Sequence, residues 1–344
     1  MQKCAGLGDR VRGTPAIFYS AIMMERFFVL MHDKPVLLET FFHINSDWYH
    51  IDRQVFRAKL LEAQKQSNLL DYFPVFDTPA ELVHFLKAPD DYDFFAIPRG
   101  LFYDMKLVFR HEKARYSLLA NIFPEIRHSD MDTLNYRLLA SVFYEISFRN
   151  LRSKFSRLKK ELFDFHGITD ERWKKALKIG VQIRLAPNIT NWRDPGERAM
   201  PNQIHCFVKK TRSLIENSDA SLYSGLPIVF VASDVTGSTD IVRKGLEGIA
   251  HVFDSTYLQQ KYNISRTHID KADYGHMKRN SAWYSAALTY VDFHILGGSA
   301  LDMLVITRSG FGELPSKWSM APTWLFAHWE KSGCKFVFNR KWWP

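Results

Sequence analysis

Cysteine is scarce in this chain, and its few cysteines do not have the spacing of a metal site. They stand at Cys4, Cys206 and Cys334. Three thiols cannot all pair with one another, so the sequence excludes a disulfide framework and leaves room for one disulfide. The chain also lacks any run of about 18 uncharged apolar residues, so it predicts no membrane-spanning helix.

Signatures of targeting and of several enzyme classes are absent as well. Residues 1–20 lack the order of basic, apolar and small residues that makes a signal peptide. If the native protein has a membrane anchor, we expect it to lie outside this chain. The sequence has no HExxH, GxSxG or Walker A motif, which argues against zinc proteases, serine hydrolases and P-loop NTPases. It also has neither an internal repeat nor a low-complexity segment.

The chain does contain enough apolar residues for a large core, together with an excess of positive charge. Of its 344 residues, 46% are hydrophobic and 15% aromatic, which predicts one large or two ordinary folded domains. The net charge of +9 favours an anionic partner, such as nucleic acid, a membrane surface or a nucleotide diphosphate. No RNA- or DNA-binding module accompanies that charge, so we expect no nucleic-acid partner.

The densest basic stretch lies on a segment with helical periodicity. Apolar residues recur at helical spacing from Leu134 to Leu162, which predicts one long amphipathic helix over residues 133–163. We favour a solvated face over a binding surface for the basic residues of this helix. These are Arg149, Arg152, Lys154, Arg157, Lys159 and Lys160.

Strands and helices alternate in the second half of the chain. This alternation predicts a parallel sheet covered on both faces, in which ligands bind beyond the carboxyl ends of the strands. Three of those ends carry polar groups, namely Arg184, Asp234 and Ser309. The predicted strands are 179–184, 226–234, 252–253 and 301–307, and the predicted helices are 203–216, 238–250 and 281–299.

Two of these strand ends suit a phosphate group. Arg184 follows an apolar strand, where burying an unpaired guanidinium would be costly. Its planar fork of donors matches a phosphate, and an internal ion pair is the alternative. Residues 309–312, with the sequence SGFG, leave several backbone N–H groups unpaired after the last strand, and such a nest also binds phosphate.

The opening segment GLGDRVRG, residues 6–13, is a second candidate for anion binding. A helix follows it, with Thr14 as the predicted N-cap and Pro15 at the first helical position. A dinucleotide fingerprint needs a strand before its first glycine, and only five residues precede Gly6. We therefore interpret the segment as an anion-binding loop or an ordinary glycine turn.

Carboxylate pairs of the DxD type do not predict a metal site here. In metal-dependent sugar transferases such a pair follows a buried strand. Asp130 and Asp132 precede the predicted long helix and read as N-capping residues, and Asp91 and Asp93 precede a predicted strand. We expect no metal and no cofactor.

Together these segments resemble the motifs of the GDP-fucose-dependent fucosyltransferases, the superfamily with α-1,6, plant xyloglucan α-1,2 and protein-O-fucosyltransferase types. GVQIR at 180–184 resembles the first motif, usually H-x-R, and VFVASD at 229–234 resembles the second. VDFHILGGSALDMLVITRSGFG at 291–312 resembles the third, which is the most specific. GLGDRVRG resembles the N-terminal loop of the superfamily.

The resemblance implies an α/β fold of GT-B type, with two Rossmann-like lobes and the donor nucleotide bound by the C-terminal lobe. Residues 1–165 would form the acceptor-side lobe, ending in the long helix, and residues 166–344 the lobe that binds the GDP-sugar. The implied activity is inverting, metal-independent transfer of L-fucose from GDP-fucose to a hydroxyl of a glycan or glycoprotein. In a eukaryote the implied location is the Golgi or another secretory-pathway lumen.

The resemblance also implies roles for individual residues. Arg184 would be catalytic and would stabilise the departing GDP at its pyrophosphate. Asp292 would read the guanine edge, and Asp234 would support Arg184 or the fucose. The remaining donor-binding candidates are Gly8, Arg10, Gln182, His294, Ser309, Gly310 and Phe311. Without the resemblance, we favour interpreting Asp292 and His294 as structural polar residues of an apolar helix over a functional role.

Two departures from the family pattern leave the base that activates the acceptor unassigned. Gln182 stands where many members have His, and it can hydrogen-bond a nucleotide but cannot titrate. Residues 185–187 replace the acidic and basic residues that follow the arginine in the α-1,6 enzymes. Asp194 and Glu197, in the next loop, are the candidates for the base.

Three alternative functions stay open on the sequence alone. The first is the same fold using another nucleotide sugar. The second is a non-catalytic protein that binds a glycan or a polyanion. The third is a nucleic-acid-binding protein, whose basic patch would bind without regard to GDP.

Overall fold

A six-stranded sheet lies at the centre of the structure, a computed structural model that describes residues 14, 15, 18, 135–184, 201–234, 237–264, 279–327 and 334–338. The strand order is β3-β2-β1-β4-β5-β6, and β1 to β5 are mutually parallel, whereas β6 pairs antiparallel with β5 at the edge. The strands are β1 (Lys178–Ile183), β2 (Ile228–Ser233), β3 (His251–Phe253), β4 (Met303–Thr307), β5 (Thr323–Phe326) and β6 (Phe336–Phe338).

Helices cover the sheet on both faces, as expected for a parallel sheet. They are α1 (Asn135–Phe148), α2 (Ser153–Phe165), α3 (Asp170–Lys175), α4 (Ile204–Glu216), α5 (Ser238–Gly245), α6 (Thr256–Lys261), α7 (Arg279–Gly298) and α8 (Gly310–Ser319). Short 3₁₀ turns occupy Pro201–Gln203 and Ala220–Leu222.

The two faces of β1 contribute to separate hydrophobic cores. Ile179, Val181 and Ile183 are 0% exposed and pack with α4 and α5. The opposite face of β1 carries Gly180, where an added Cβ would lie 2.6 Å from side-chain atoms of both Leu301 and Leu304. The glycine therefore lets the α7–β4 connection approach the strand closely.

The predicted strands and the fold class are confirmed. The runs KIGVQI and IVFVAS are buried at all positions, which is why they read as continuous apolar segments in the sequence. Pro15 and Phe18 are helical, in agreement with the helix predicted there, but Thr14 is itself helical and so is not the N-cap residue predicted for this helix. The helix predicted over 238–250 is shorter, because α5 ends at Gly245 and the chain turns through Gly248 with a positive φ of 74°.

The single long helix predicted over 133–163 is wrong, because the chain forms α1 and α2 with a break between them. Arg152 is extended (φ −62°, ψ 151°) and precedes α2 as its N-cap residue. The carbonyl of Arg149 accepts a hydrogen bond from His294 Nε2 at 3.2 Å, and Ser156 Oγ donates to the carbonyl of Leu151 at 3.2 Å. Side chains thus satisfy carbonyls that a continuous helix would pair internally.

The basic face predicted for that helix is also only partly correct. Lys160 is exposed and pairs with Asp164 at 2.6 Å, as expected for a solvated residue. Lys159 is turned inward instead, where Nζ donates to Ser299 Oγ at 2.7 Å. Burial lowers the pKa of Lys159 to about 8, although the charge of Asp170 acts in the opposite direction.

Helix α7 spans 20 residues and is the central helix of the larger core. Its side chains from Ser285 onward are mostly buried, which explains why its sequence is apolar around most of the helix. None of the helices that the structure describes has both the length and the apolar composition needed to cross a membrane.

Cys206 and Cys334 form the one disulfide for which the sequence left room, while Cys4 lies outside the described residues. The bond joins the first turn of α4 to the residue pair that precedes β6, across a sequence separation of 128 residues. A cross-link that closes so long a loop stabilises the fold chiefly by restricting the unfolded chain.

We expect reduction of this disulfide to lower the melting temperature markedly, because a loop of this length corresponds to about 4–5 kcal/mol in the chain-entropy model. Calorimetry with and without dithiothreitol checks this, together with a Cys206→Ser/Cys334→Ser variant that should match the reduced protein. Cys4→Ser is the control and should still respond to the reductant. An unchanged melting temperature in the double variant would contradict the expectation.

Candidate functional site

The strand order reverses between β1 and β4, which makes this the switch point of the sheet. At a switch point the connections leave toward opposite faces and open a crevice beyond the carboxyl ends of the strands. Arg184 follows β1 at this point, and Arg308 and Ser309 follow β4. Arg308 is exposed and adds a second cation that sequence reasoning missed.

Arg184 is held at the crevice by an ion pair with the end of the neighbouring strand. Its Nη1 lies 2.7 Å from Oδ2 of Asp234, which follows β2, and the two side chains are 17% and 30% exposed. The structure therefore contains the internal ion pair that was the alternative to phosphate binding. A guanidinium carries five N–H donors, so the ion pair is compatible with an additional phosphate contact.

The backbone of Arg184 is fixed from the other side by Thr307, the last residue of β4. The amide N–H of Arg184 donates to Thr307 Oγ1 at 3.0 Å, and the Thr307 hydroxyl donates to the carbonyl of Gln182 at 3.3 Å. Thr307 is 0% exposed. Sequence reasoning missed this residue, for which the signal was a hydroxyl side chain closing an otherwise apolar strand.

Helix α8 begins directly at the crevice, with Ser309 as its N-cap residue. Ser309 Oγ accepts a hydrogen bond from the amide of Gly312 at 3.2 Å, and the Ser309 carbonyl accepts from the amide of Glu313 at 2.9 Å. Helix geometry leaves the amides of Gly310 and Phe311 without an acceptor inside the helix. The positive end of the helix dipole faces the same way, so the start of α8 has the geometry and polarity that suit an anion.

The side chain of Gln182 lies against the first turn of helix α8. Its side chain is 3% exposed, and Ser309 Oγ donates to its Oε1 at 3.5 Å. A Cβ at position 312 would lie 2.5 Å from that oxygen, so Gly312 is needed for the close approach. The predicted contact between Gln182 and the nucleotide stays a prediction, and the burial of its side chain favours a supporting role.

Phe311 packs at the contact between α8 and α7, and Asp292 lies on α7. The ring centroid of Phe311 lies 6.1 Å from that of Phe293, so its side chain packs toward α7 and its backbone N–H is the group suited to an anion. Asp292 is 5% exposed and lies about 9 Å along α7 from Gly298, at 1.5 Å per residue. Its proposed guanine contact stays a prediction.

His294 belongs to a structural hydrogen-bond network near the amino ends of the strands, at the end of the sheet opposite the crevice. Its Nε2 donates to the Arg149 carbonyl, and its Nδ1 accepts from Lys159 Nζ at 3.4 Å. The Ser299 hydroxyl, close to the start of β4, donates to the His294 carbonyl at 3.3 Å. The structure therefore ties His294 to Arg149, Lys159 and Ser299, and it does not bring His294 together with Arg184 and Ser309.

The remaining predicted residues lie outside the described part of the chain. These are Gly8 and Arg10 of the opening loop, the base candidates Asp194 and Glu197, and the carboxylate pairs Asp91, Asp93, Asp130 and Asp132.

Among the described residues, one group has the separations of a metal site. His205 Nε2 lies 3.7 Å from Cys206 Sγ and 3.6 Å from Cys334 Sγ. Because the two sulfurs are bonded to each other, they are not thiolate ligands in this state. We interpret the group as a disulfide beside a histidine.

The comparisons with known proteins agree with this architecture. No protein-family model matches the sequence, and no curated protein matches it. Among solved structures, an arginine-to-lysine mutant of Arabidopsis thaliana FUT1 in complex with GDP is similar with a TM-score of 0.58 at 12% identity, over 95% of this chain and 70% of that chain.

A second similar structure is the NodZ α-1,6-fucosyltransferase of Bradyrhizobium, soaked with GDP-fucose. It has a TM-score of 0.50 at 14% identity, over 97% of this chain and 96% of that chain. At these identities the likeness establishes the fold, and the GT-B type α/β fold implied by the sequence motifs is confirmed.

The His294 network predicts how stability depends on pH. Burial, followed by the nearby Lys159 charge, lowers the pKa of His294 from 6.5 to about 3. Between these values the unfolded chain binds a proton that the folded chain does not. The free energy of unfolding should therefore fall as the pH drops below 6.5, by up to about 1.4 kcal/mol per unit, and stay flat in this respect above it.

Urea unfolding of the wild type and of His294→Gln between pH 5 and 8 checks this prediction. The glutamine can still donate to the Arg149 carbonyl but does not titrate, so its curve should be flatter below pH 6.5. A residual slope is expected from His166 and His251, because burial lowers the pKa of each. Identical slopes for the two proteins would contradict this account of His294.

Proposed function

We propose that this chain is an inverting, metal-independent fucosyltransferase, which transfers L-fucose from GDP-fucose to a hydroxyl of a glycan or glycoprotein. One observation carries the proposal. At the switch point of the sheet, the Arg184–Asp234 pair and the Ser309-capped start of α8 converge, in a chain whose fold is that of solved fucosyltransferases.

The donor diphosphate is complementary to the positive groups at the carboxyl ends of β1 and β4. The amides of Gly310 and Phe311 and the helix dipole offer fixed donors to one phosphate. The Ser309 hydroxyl accepts from the Gly312 amide, and its single proton would turn from its 3.5 Å contact with Gln182 Oε1 to a phosphate oxygen when the donor binds. Arg184 supplies a planar cation from the neighbouring strand end, and Asp234 keeps it oriented. These groups would do for the diphosphate what a metal ion does in other transferases.

The reaction follows from where charge develops. The bond between fucose C1 and the β-phosphate oxygen breaks, and its electron pair leaves with GDP. The sugar passes through an oxocarbenium-like state, as in glycoside chemistry. The acceptor oxygen attacks C1 from the opposite face, and its proton passes to a base, for which Asp194 and Glu197 are our candidates. Arg184 acts on the leaving group, since preorganised donors at a developing negative charge lower the barrier most.

The disulfide supports a location in an oxidising compartment. Bonds such as Cys206–Cys334 persist in the secretory pathway and are rare in the cytosol. Asn263, in an N-x-S sequence, is exposed just after α6, where a glycan could be attached. We propose the Golgi or another secretory-pathway lumen.

Nucleotide selectivity tests the donor assignment. GDP should raise the melting temperature more than UDP or ADP at equal concentration, through mass action on the folded state, and the shift should persist in excess EDTA. Transfer or hydrolysis of GDP-fucose should also survive EDTA. Equal shifts for the three nucleotides would remove the guanine role of Asp292. Activity restored only by Mn²⁺ would remove the metal-free mechanism, and GDP binding without turnover would favour a non-catalytic protein.

Arg184→Ala tests the catalytic role. We expect kcat to fall by about 10²- to 10³-fold, the loss seen when one preorganised donor to an oxyanion is removed, with a smaller effect on GDP binding. Arg184→Lys should restore activity only in part, because an ammonium cannot reproduce the planar fork.

Lys178→Ala is the matched control, since Lys178 Nζ pairs with Asp302 at 3.1 Å at the opposite end of the same strand. Both alanine variants should lose thermal stability, and only Arg184→Ala should lose turnover. If Arg184→Ala melts early but turns over normally, the arginine is a structural partner of Asp234 and the mechanism is wrong.

A further inference from the structure

At the switch point, strand β1 stops pairing with β4 one residue before it stops pairing with β2. Backbone pairing of β1 with β2 continues to Ile183 and Ser233, whereas pairing with β4 ends at Gln182 and Ile306. The crevice therefore opens on the β4 side of Arg184. At that point the backbone of Arg184 no longer has a ladder partner on β4.

The side chain of Thr307 spans this gap. Its Oγ1 accepts from the amide of Arg184 at 3.0 Å, and its hydroxyl donates to the carbonyl of Gln182 at 3.3 Å. In a parallel ladder, one residue of a strand accepts from and donates to two residues that flank a position on its neighbour. The hydroxyl makes this same pair of contacts on either side of Ile183, in place of the peptide group.

We propose that Thr307 is a positioning residue, which holds the backbone of Arg184 so that its guanidinium faces the donor diphosphate. The backbone part of this proposal depends on geometry alone, and its catalytic consequence rests on the proposed function. Asp234 holds the guanidinium of Arg184 through the ion pair, and Thr307 holds the Arg184 backbone through the hydrogen bond to its amide. With both ends fixed, the guanidinium need not reorganise as charge develops on the leaving group.

A matched threonine lies at the amino ends of the strands, at the end of the sheet opposite the crevice. Thr323, the first residue of β5, is also 0% exposed, and its hydroxyl donates to the carbonyl of Ala321 at 2.8 Å. That hydrogen bond stays within one segment and lies far from the carboxyl ends of the strands. Thr323 therefore shares the burial and chemistry of Thr307 without its link to Arg184.

Thr307→Val, Thr307→Ser and Thr323→Val form the test. Valine keeps the shape of threonine and removes the hydroxyl, whereas serine keeps the hydroxyl. We expect Thr307→Val to lower kcat by about 10- to 100-fold, the scale of a small misplacement of a catalytic group, with little change in the KM for GDP-fucose. Thr307→Ser should recover most of the turnover. Thr323→Val should lose thermal stability to a similar degree and keep its kcat.

Hydrogen exchange of the Arg184 amide gives a readout that needs no activity. In Thr307→Val this amide should exchange faster, while the amides of residues 179–182 keep their protection, and Thr323→Val should leave it unchanged. Unchanged exchange at Arg184, or normal kcat in Thr307→Val, would overturn the positioning role. If the wild type itself does not turn over GDP-fucose, the proposed function fails, and the exchange data still decide whether Thr307 holds Arg184.

Discussion

The central strand β1 is buried along its whole length, so charged side chains can be accommodated only at its two ends. Lys178 begins the strand and pairs with Asp302, which precedes β4. Arg184 follows the strand and pairs with Asp234, which follows β2. Both cations are compensated because a partly buried unpaired charge would be costly. The difference between them is topological, since only the carboxyl end opens into the crevice of the switch point.

Helix α8 owes its orientation to close contacts at both of its ends. Near its end, Trp318 lies where side chains at Gly297 and Gly298 would stand, since added Cβ atoms there would come within 2.4 and 2.6 Å of its ring. The indole Nε1 donates to Glu145 Oε2 at 2.9 Å, which ties α8 to α1. At its start, Gly312 allows the helix to lie directly on Gln182. Together these contacts orient α8 so that its N-terminus faces the crevice.

Near the amino ends of the strands, polar groups join helices to one another instead of facing a crevice. Lys159, His294 and Ser299 form a buried network that joins α2, α7 and the break after α1. Because His294 is held neutral, the lysine can donate to its ring without a second charge in the core. These residues define how the helices pack, and Ser299 lies at the opposite end of β4 from Ser309.

The sequence by itself determined the strands and the residues that follow them. Short continuous apolar runs that alternate with helical segments indicate strands of a sheet covered on both faces, and parallel pairing brings Arg184, Asp234 and Ser309 to the same end of that sheet. Only the tertiary structure decided what depends on distant residues. The break after α1 and the burial of Lys159 arise from contacts with His294 and Ser299, which follow more than a hundred positions later. The same holds for Thr307 and Arg184, which are 123 residues apart, because no local pattern encodes a hydrogen bond between two strands that diverge.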